Sequence, residues 1–137
     1  MEALVLYDST YGNTKEVAET IAKQLNTTAV HVEKVSEKSL KEVDLLIIGS
    51  PIIGWRPSEK MAMFLSNLPD LDGVRAAAFD TRMVVWYSGD AVNKMAKKLS
   101  DANAVVVGTE KFIVLDKEGP LADGELKKAE KWAKTLI

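Results

Sequence analysis

The sequence contains no cysteine among its 137 residues. Disulfides, thiolate nucleophiles, iron–sulfur clusters and thiolate zinc sites are therefore excluded. Any redox chemistry of this chain must come from a bound organic cofactor.

Long hydrophobic runs and a strong charge of either sign are also absent. No run reaches 18 apolar residues, and Met1-Glu2-Ala3 lacks the basic start of a signal peptide. The formal net charge is only -2, with lysines and acidic residues interspersed. We therefore expect a cytoplasmic protein with no membrane insertion and no nucleic-acid surface.

What the sequence does contain is the composition of one globular domain. Hydrophobic residues make up 47% and charged residues 28%, and there is no linker, repeat or low-complexity segment. A chain of this length can bury roughly two thirds of its unfolded surface. We expect a single domain over residues 1–137.

Five short segments are predicted to be strands. Four are continuous apolar runs that end in turn or small polar residues, as in strands buried on both faces, and they cover residues 3–7, 45–49, 76–79 and 104–108. Residues 28–32 are less uniformly apolar, which favours an edge strand.

The segments between the strands have helical spacing. Apolar residues recur every three or four positions at Val17, Ile21 and Leu25; at Met61, Phe64, Leu65 and Leu68; at Val92, Met95, Ala96 and Leu99; and at Leu126, Ala129, Ala133 and Leu136. A weaker helix is predicted over residues 39–43. Ser88 and Asp123 are predicted N-caps, and Pro57 is predicted in a first helical turn.

Strands and helices thus alternate from end to end. This alternation predicts an α/β fold in which right-handed crossovers place helices on both faces of a parallel sheet. Ligands of such sheets bind beyond the carboxyl ends of the strands, so the loops after strands 1, 3 and 4 are the candidate site.

The first of these loops is rich in hydrogen-bond donors. Hydroxyls, an amide, a glycine and the free N–H groups of a helix start occur together in Asp8, Ser9, Thr10, Tyr11, Gly12, Asn13 and Thr14. Since the loop has no lysine, a phosphate monoester fits better than a triphosphate with its metal. The Walker and Gly-x-Gly-x-x-Gly patterns are both missing. The alternative is a capping turn without a ligand.

This loop resembles the phosphate loop of the flavodoxin family, Ser/Thr-x-Thr-Gly-x-Thr, and the resemblance extends over the whole chain. It implies a flavodoxin-like sheet of five parallel strands in the order 2-1-3-4-5, with FMN bound between strands 1 and 3, a placement that is itself a standard example of the strand-end rule. It also implies a non-covalent FMN carrier of single electrons between redox proteins, such as ferredoxin-type donors or acceptors and oxidoreductases.

The loop after strand 3 would supply one wall of the flavin pocket in a protein of this family. Its residues are Ser50, Pro51, Ile52, Ile53, Gly54 and Trp55. Trp55 could stack on a planar ring, and the peptide at Gly54 could rotate toward the flavin. Alternatively, Trp55 only covers the end of the sheet.

The segment after strand 4 departs from the common family pattern. Asp80, Thr81 and Arg82 would contact the ring, but the glycines and the immediate aromatic residue of many flavodoxins are missing, and Trp86 and Tyr87 follow only later. Together with the motifs at residues 119–121 and 124–126, this segment resembles a distinct, archaeal subgroup. The alternative for Arg82 is a surface cation paired with Asp80.

Other functions are less well supported. His31, the only histidine, is predicted to be a solvated edge-strand residue and not a catalytic base. A response regulator would need an acidic pair and a later aspartate, and a low-molecular-weight phosphatase would need a loop cysteine. Two alternatives stay open: an FMN-dependent NAD(P)H or quinone reductase, and a domain of this fold that has lost its flavin. Nothing in the sequence decides between monomer and dimer.

Overall fold

A computed structural model describes residues 2–84 and 89–137 of the chain. Within these ranges the strands are β1 (Ala3–Tyr7), β2 (Ala29–His31), β3 (Leu45–Ile53), β4 (Arg56–Pro57), β5 (Arg75–Arg82) and β6 (Val105–Ile113). The α-helices are α1 (Asn13–Gln24), α2 (Glu37–Glu42), α3 (Glu59–Ser66), α4 (Val92–Asp101) and α5 (Glu125–Thr135).

The five long strands form one parallel sheet in the order β2-β1-β3-β5-β6. Because β5 and β6 are the fourth and fifth of the predicted strands, the predicted order is confirmed. The two-residue strand β4 was not predicted. It turns back and pairs antiparallel with the end of β3, through Ile52 with Pro57 and Ile53 with Arg56.

Three strands are longer than predicted at their carboxyl ends, where β3 reaches Ile53, β5 reaches Arg82 and β6 reaches Ile113. The extensions contain polar residues, but they pair with one another in register, Ser50 with Asp80 and Pro51 with Thr81. Residues 50–53 and 80–82, which the sequence assigned to loops, are therefore strand.

The edge strand β2 is shorter than its predicted range of 28–32. A 3₁₀ turn, Val32–Lys34, begins directly after His31, whose Nδ1 accepts the backbone N–H of Glu33 at 3.1 Å. This hydrogen bond from the backbone to a side chain favours a turn, so the strand ends at His31.

All five predicted helices are present, although two of their predicted starts are wrong. Pro57 belongs to β4, and the hydroxyl of Ser58 caps α3 by accepting the N–H of Met61 at 3.3 Å. At α5 the cap position is occupied by Gly124 in the left-handed conformation, one residue after Asp123. Ser88 lies outside the described residues. No helix of residues 2–84 and 89–137 is long and apolar enough to cross a membrane.

The sheet separates two hydrophobic layers, one against α3 and α4 and the other against α1 and α5. Gly49 leaves no room for a side chain, because an added Cβ would lie 2.0 Å from Cζ of Phe79 on the neighbouring strand. Only glycine fits beside that ring, so the strand end that leads into residues 50–55 is fixed.

Candidate functional site

The carboxyl ends of β1, β3, β5 and β6 surround one cavity of about 470 Å³. Its lining comes from four segments of the chain, with the residues Ser9, Thr10, Tyr11, Asn13, Thr14, Pro51, Ile52, Ile53, Gly54, Trp55, Thr81, Arg82, Met83, Val114 and Lys117. Of the 15 residues predicted from the sequence, only Gly12, Ser50 and Asp80 are missing from this lining.

The segment after β1 is shaped as an anion cradle. The N–H of Ser9 donates to Asp8 Oδ1 at 2.9 Å, the N–H of Gly12 donates to the hydroxyl of Ser9 at 3.0 Å, and Gly12 turns into the helix with φ 95°. Within the described residues, no acceptor engages the backbone N–H groups of residues 10, 11, 13 and 14. Unpaired amides at a helix start are the donors that a phosphate group needs.

Thr14 has a second role besides its place at the cavity. Its hydroxyl is buried and lies 2.8 Å from the hydroxyl of Thr81 on β5. This hydrogen bond ties the start of α1 to the strand on the opposite side of the cavity.

A small polar network supports the cradle from behind. The carboxylate of Asp8, at the end of β1, accepts a hydrogen bond from Nε2 of His31 at 3.0 Å. Nε2 is the protonated nitrogen, because Nδ1 accepts the N–H of Glu33. Burial alone raises the pKa of Asp8, but hydrogen bonds from Ser58, His31 and the Ser9 N–H outweigh it, so this pKa lies below its ordinary value.

His31 lies on the edge strand β2, as predicted, but its side chain is only partly solvated. Its side chain is 24% exposed and packs edge-on against Tyr7, with ring centroids 5.6 Å apart. Register explains the difference, because the pairing of Tyr7 with His31 places the imidazole directly beside Asp8. His31 helps to position the cradle.

We expect the Asp8→Asn variant to be less stable than the parent by about 1 to 2 kcal/mol at neutral pH. The folded-state pKa of Asp8 is below its unfolded value of about 3.9, so this stabilisation is present above pH 4 and is lost as the pH falls through the folded-state pKa. Denaturant unfolding at pH 7 and at about pH 3 measures it. A difference between the two proteins that is the same at both pH values would contradict the assignment.

The second segment forms a short hairpin whose turn is strained. Gly54 and Trp55 have φ values of 59° and 73°, and a positive φ is uncommon for a residue such as tryptophan. The carbonyl of Trp55 holds the turn by accepting the N–H of Asp90 at 3.2 Å and Nζ of Lys94 at 3.3 Å. The Trp55 side chain, 55% exposed, is thereby presented at the cavity mouth.

Ser50 lies inside the protein and supports this hairpin. Its hydroxyl donates to the carbonyl of Pro51 at 2.8 Å and accepts the N–H of Ser58 at 2.9 Å. It therefore fixes β3 against the start of α3 and does not face the cavity.

Trp55→Ala should weaken FMN affinity by about 1 to 3 kcal/mol if the indole stacks on the flavin ring, by analogy with bases stacked on aromatic side chains. Tryptophan fluorescence during FMN titration should show strong quenching in the parent and less in the variant. Trp55→Phe, which keeps a flat ring, is the matched control. Unchanged affinity in Trp55→Ala would assign the wall to another residue, such as Trp86 or Tyr87, which lie outside the described residues.

The third segment contains a buried ion pair. Asp80 is fully buried, and its carboxylate accepts hydrogen bonds from Nε of Arg82 at 2.8 Å, from Nη2 of Arg82 and from the N–H of Val92 at 2.9 Å. Hydrogen bonding to Asp80 raises the pKa of Arg82 despite the opposing effect of burial.

One prediction for this segment and one alternative need correction. Asp80 does not face the cavity, because its carboxylate points to Arg82 and to the start of α4. Arg82 is paired with Asp80, but it is not a surface cation: its side chain is 15% exposed and lines the cavity. The guanidinium also lies 3.7 Å from Asp90, so it connects the cavity with the segment before α4.

The site includes a fourth segment that sequence reasoning missed. Val114 and Lys117 follow β6, whereas the sequence predicted the site only in the loops after strands 1, 3 and 4. The signal was available, because the carboxyl end of every parallel strand lies at the same edge of the sheet. Met83, which directly follows β5, also lines the cavity.

Sequence comparison gives the family of this chain. Residues 4–109 match the family model described as a flavodoxin domain. A flavodoxin of Aquifex aeolicus is 33% identical over 106 residues, which cover 69% of this chain and 57% of that protein. An uncharacterized protein of Methanocaldococcus jannaschii is 27% identical over 150 residues, with 100% of this chain and 99% of that protein covered. The chain belongs to the flavodoxin family.

Solved structures of similar fold agree with this assignment. A flavodoxin from the domain Archaea superposes with a TM-score of 0.76 at 23% identity, covering 97% of this chain and 94% of that one. Rubredoxin oxygen:oxidoreductase from Desulfovibrio gigas superposes with a TM-score of 0.81 at 18% identity, covering 98% of this chain but only 35% of that one. The same fold thus occurs alone and as part of a larger oxidoreductase.

Proposed function

We propose that this chain is a flavodoxin, which binds FMN without a covalent bond and carries single electrons between redox proteins, and that it is not itself an enzyme. The observation that carries the proposal is that one cavity contains both an anion cradle and walls for a planar ring. An anion cradle follows β1, and the ends of β3 and β5 form two walls. The first wall has the apolar residues 51–53 and Trp55, and the second has Thr81, Arg82 and Met83. FMN, the cofactor that membership of the family implies, has a phosphate at one end and a planar ring at the other.

The residues present fit this cofactor. The free N–H groups of residues 10, 11, 13 and 14 and the hydroxyls of Ser9 and Thr10 would bind the phosphate. The hairpin at residues 51–55 and the end of β5 at residues 81–83 would hold the ring. The cavity volume of about 470 Å³ is in the range of small-molecule sites.

When bound, FMN supplies the electron-accepting and electron-donating chemistry, and the protein controls its orientation and environment. Residues of this chain act in three ways: the cradle fixes the phosphate, the strained hairpin presents Trp55, and Arg82 places a positive charge at the cavity wall.

The exposed apolar side chains around the cavity mouth favour a protein, and not a small molecule, as the electron-transfer partner. Tyr11, Ile53 and Trp55 line the cavity and are about half exposed, and Val84 and Leu115 follow lining residues with 77% and 65% exposure. Since the net charge is only -2, we propose that electrostatic steering of partners is weak. The rate of partner reduction would then change little with ionic strength.

The second candidate is an FMN-dependent NAD(P)H or quinone reductase. The similarity of fold to part of a larger oxidoreductase favours this alternative. Two assays with the purified protein decide between the candidates. The visible absorption spectrum shows whether flavin is bound, and a protein that takes up no FMN would have lost its cofactor site. The carrier accepts electrons only when a separate reductase is added, whereas direct NAD(P)H turnover would establish the reductase.

A further inference from the structure

The turn after β6 brings a lysine to the cavity. Leu115 N–H donates to the carbonyl of Pro120 and Gly119 N–H donates to that of Asp116, both at 2.9 Å, so residues 115–120 form a closed turn. Lys117 is at its tip and, of the three charged residues at 116–118, only Lys117 lines the cavity.

The turn lies against the start of α1, next to the anion cradle. The side-chain amide of Asn13 donates to the carbonyl of Glu118 at 3.3 Å, and a Cβ at Gly119 would lie 2.6 Å from Oδ1 of Asn13. Lys117 directly precedes Glu118 in the chain and lines the cavity, so its backbone lies at the cradle end of the cavity.

Lys117 has no counter-ion within the part of the chain that the structure describes. Every ion pair found in residues 2–84 and 89–137 joins other residues. The neighbouring carboxylate of Asp116 is occupied by the backbone N–H of Lys117, at 2.7 Å. The ammonium group is therefore available for an anion in the cavity.

We propose that Lys117 is a binding and specificity residue for the phosphate of the cofactor, so that a charged side chain from the turn after β6 completes a cradle otherwise made of neutral donors. This inference rests on the proposed function, because the anion is the phosphate of FMN. A phosphate monoester carries about -1.5 to -2 charges at neutral pH and attracts a cation more strongly than a neutral donor does.

The size of the effect follows from the exposure of the turn. Lys117 is exposed and is flanked by two acidic residues, which weakens its field at the phosphate. We therefore expect removal of the charge to weaken FMN affinity by about tenfold at low salt and by less at high salt, where the ammonium is screened.

The test measures FMN and riboflavin affinities by fluorescence quenching, at low and at high salt, for the parent and three variants. Lys117→Gln removes the charge, Lys117→Arg keeps it, and Lys38→Gln removes an exposed charge on α2 that does not line the cavity. The expected result is a loss of FMN affinity in Lys117→Gln alone, larger at low salt, with riboflavin affinity unchanged.

Three results would overturn the inference. FMN affinity in Lys117→Gln could equal that of the parent, or FMN and riboflavin affinities could fall together, which would indicate a structural or ring-binding role. An equal loss in Lys38→Gln would indicate a general charge effect. If the parent binds FMN and Lys117→Gln binds it equally well, only the inference about Lys117 fails and the proposed function stands. If the parent binds no FMN, the proposed function and the inference both fail.

Discussion

Arg82→Ala is expected to lower the free energy of unfolding by about 3 kcal/mol or more. The carboxylate of Asp80 is fully buried and has two of its hydrogen bonds from Arg82, so the variant leaves a buried charge without its partner. Loss of one member of a buried ion pair costs about 3 to 5 kcal/mol in other proteins. Equilibrium unfolding in denaturant measures the effect.

The control is the double variant Asp80→Asn with Arg82→Gln, which removes both charges and keeps the side-chain shapes close to the originals. It should recover part of the loss, because the two residues form one interacting pair. The single variants Asp80→Asn and Arg82→Gln complete the comparison. If the double variant loses as much stability as those two single variants added together, the pair contributes nothing as a pair.

The same substitution should also lower the reduction potential of bound FMN. Arg82 lines the cavity, and a nearby positive charge favours any reduction step that leaves negative charge on the cofactor. An interaction of about 1 to 2 kcal/mol corresponds to a few tens of millivolts up to nearly a hundred, and the unpaired Asp80 acts in the same direction. Potentials that stay within about 10 mV of the parent while FMN still binds would mean that Arg82 does not act on the flavin.

The second large effect is a preference for FMN over riboflavin of at least about a hundredfold. Hydrogen bonds to a charged group contribute roughly 1.5 to 3 kcal/mol each, and the free N–H groups of residues 10, 11, 13 and 14 offer several of them. Titration of the apoprotein with each flavin gives the two affinities.

A matched variant is Thr10→Val, which removes one hydroxyl of the cradle and keeps the side-chain shape. It should reduce FMN affinity and leave riboflavin affinity unchanged. Equal affinities of the parent for FMN and riboflavin would reject the segment after β1 as the phosphate site.

Much of the fold is predictable because burial on both faces leaves a continuous apolar run. Residues 3–7 and 45–49 show this, and both lie on central strands of the sheet. The first segment of the site was predictable too, since Gly12 and the surrounding hydroxyls lie between a strand and a helix. The ends of β3 and β5 were not, because Ser50 and Asp80 are polar residues whose place in the sheet depends on pairing with each other.

The contacts that shape the site come from tertiary structure, which periodicity cannot show. Asp8 meets His31 only through the register of β1 and β2, and Lys117 lines the cavity only because its turn folds back onto Asn13. The pairing of Asp80 with Arg82 was one of the alternatives that the sequence left open. Its burial was not predictable, because that depends on helix α4 covering it.

A redox titration of the purified protein, followed by visible absorption, tests the central claim most directly. The account predicts the spectrum of bound FMN and reduction in two separate one-electron steps, as a carrier of single electrons requires. A protein without a flavin spectrum, or one that takes up both electrons in a single step, would contradict it.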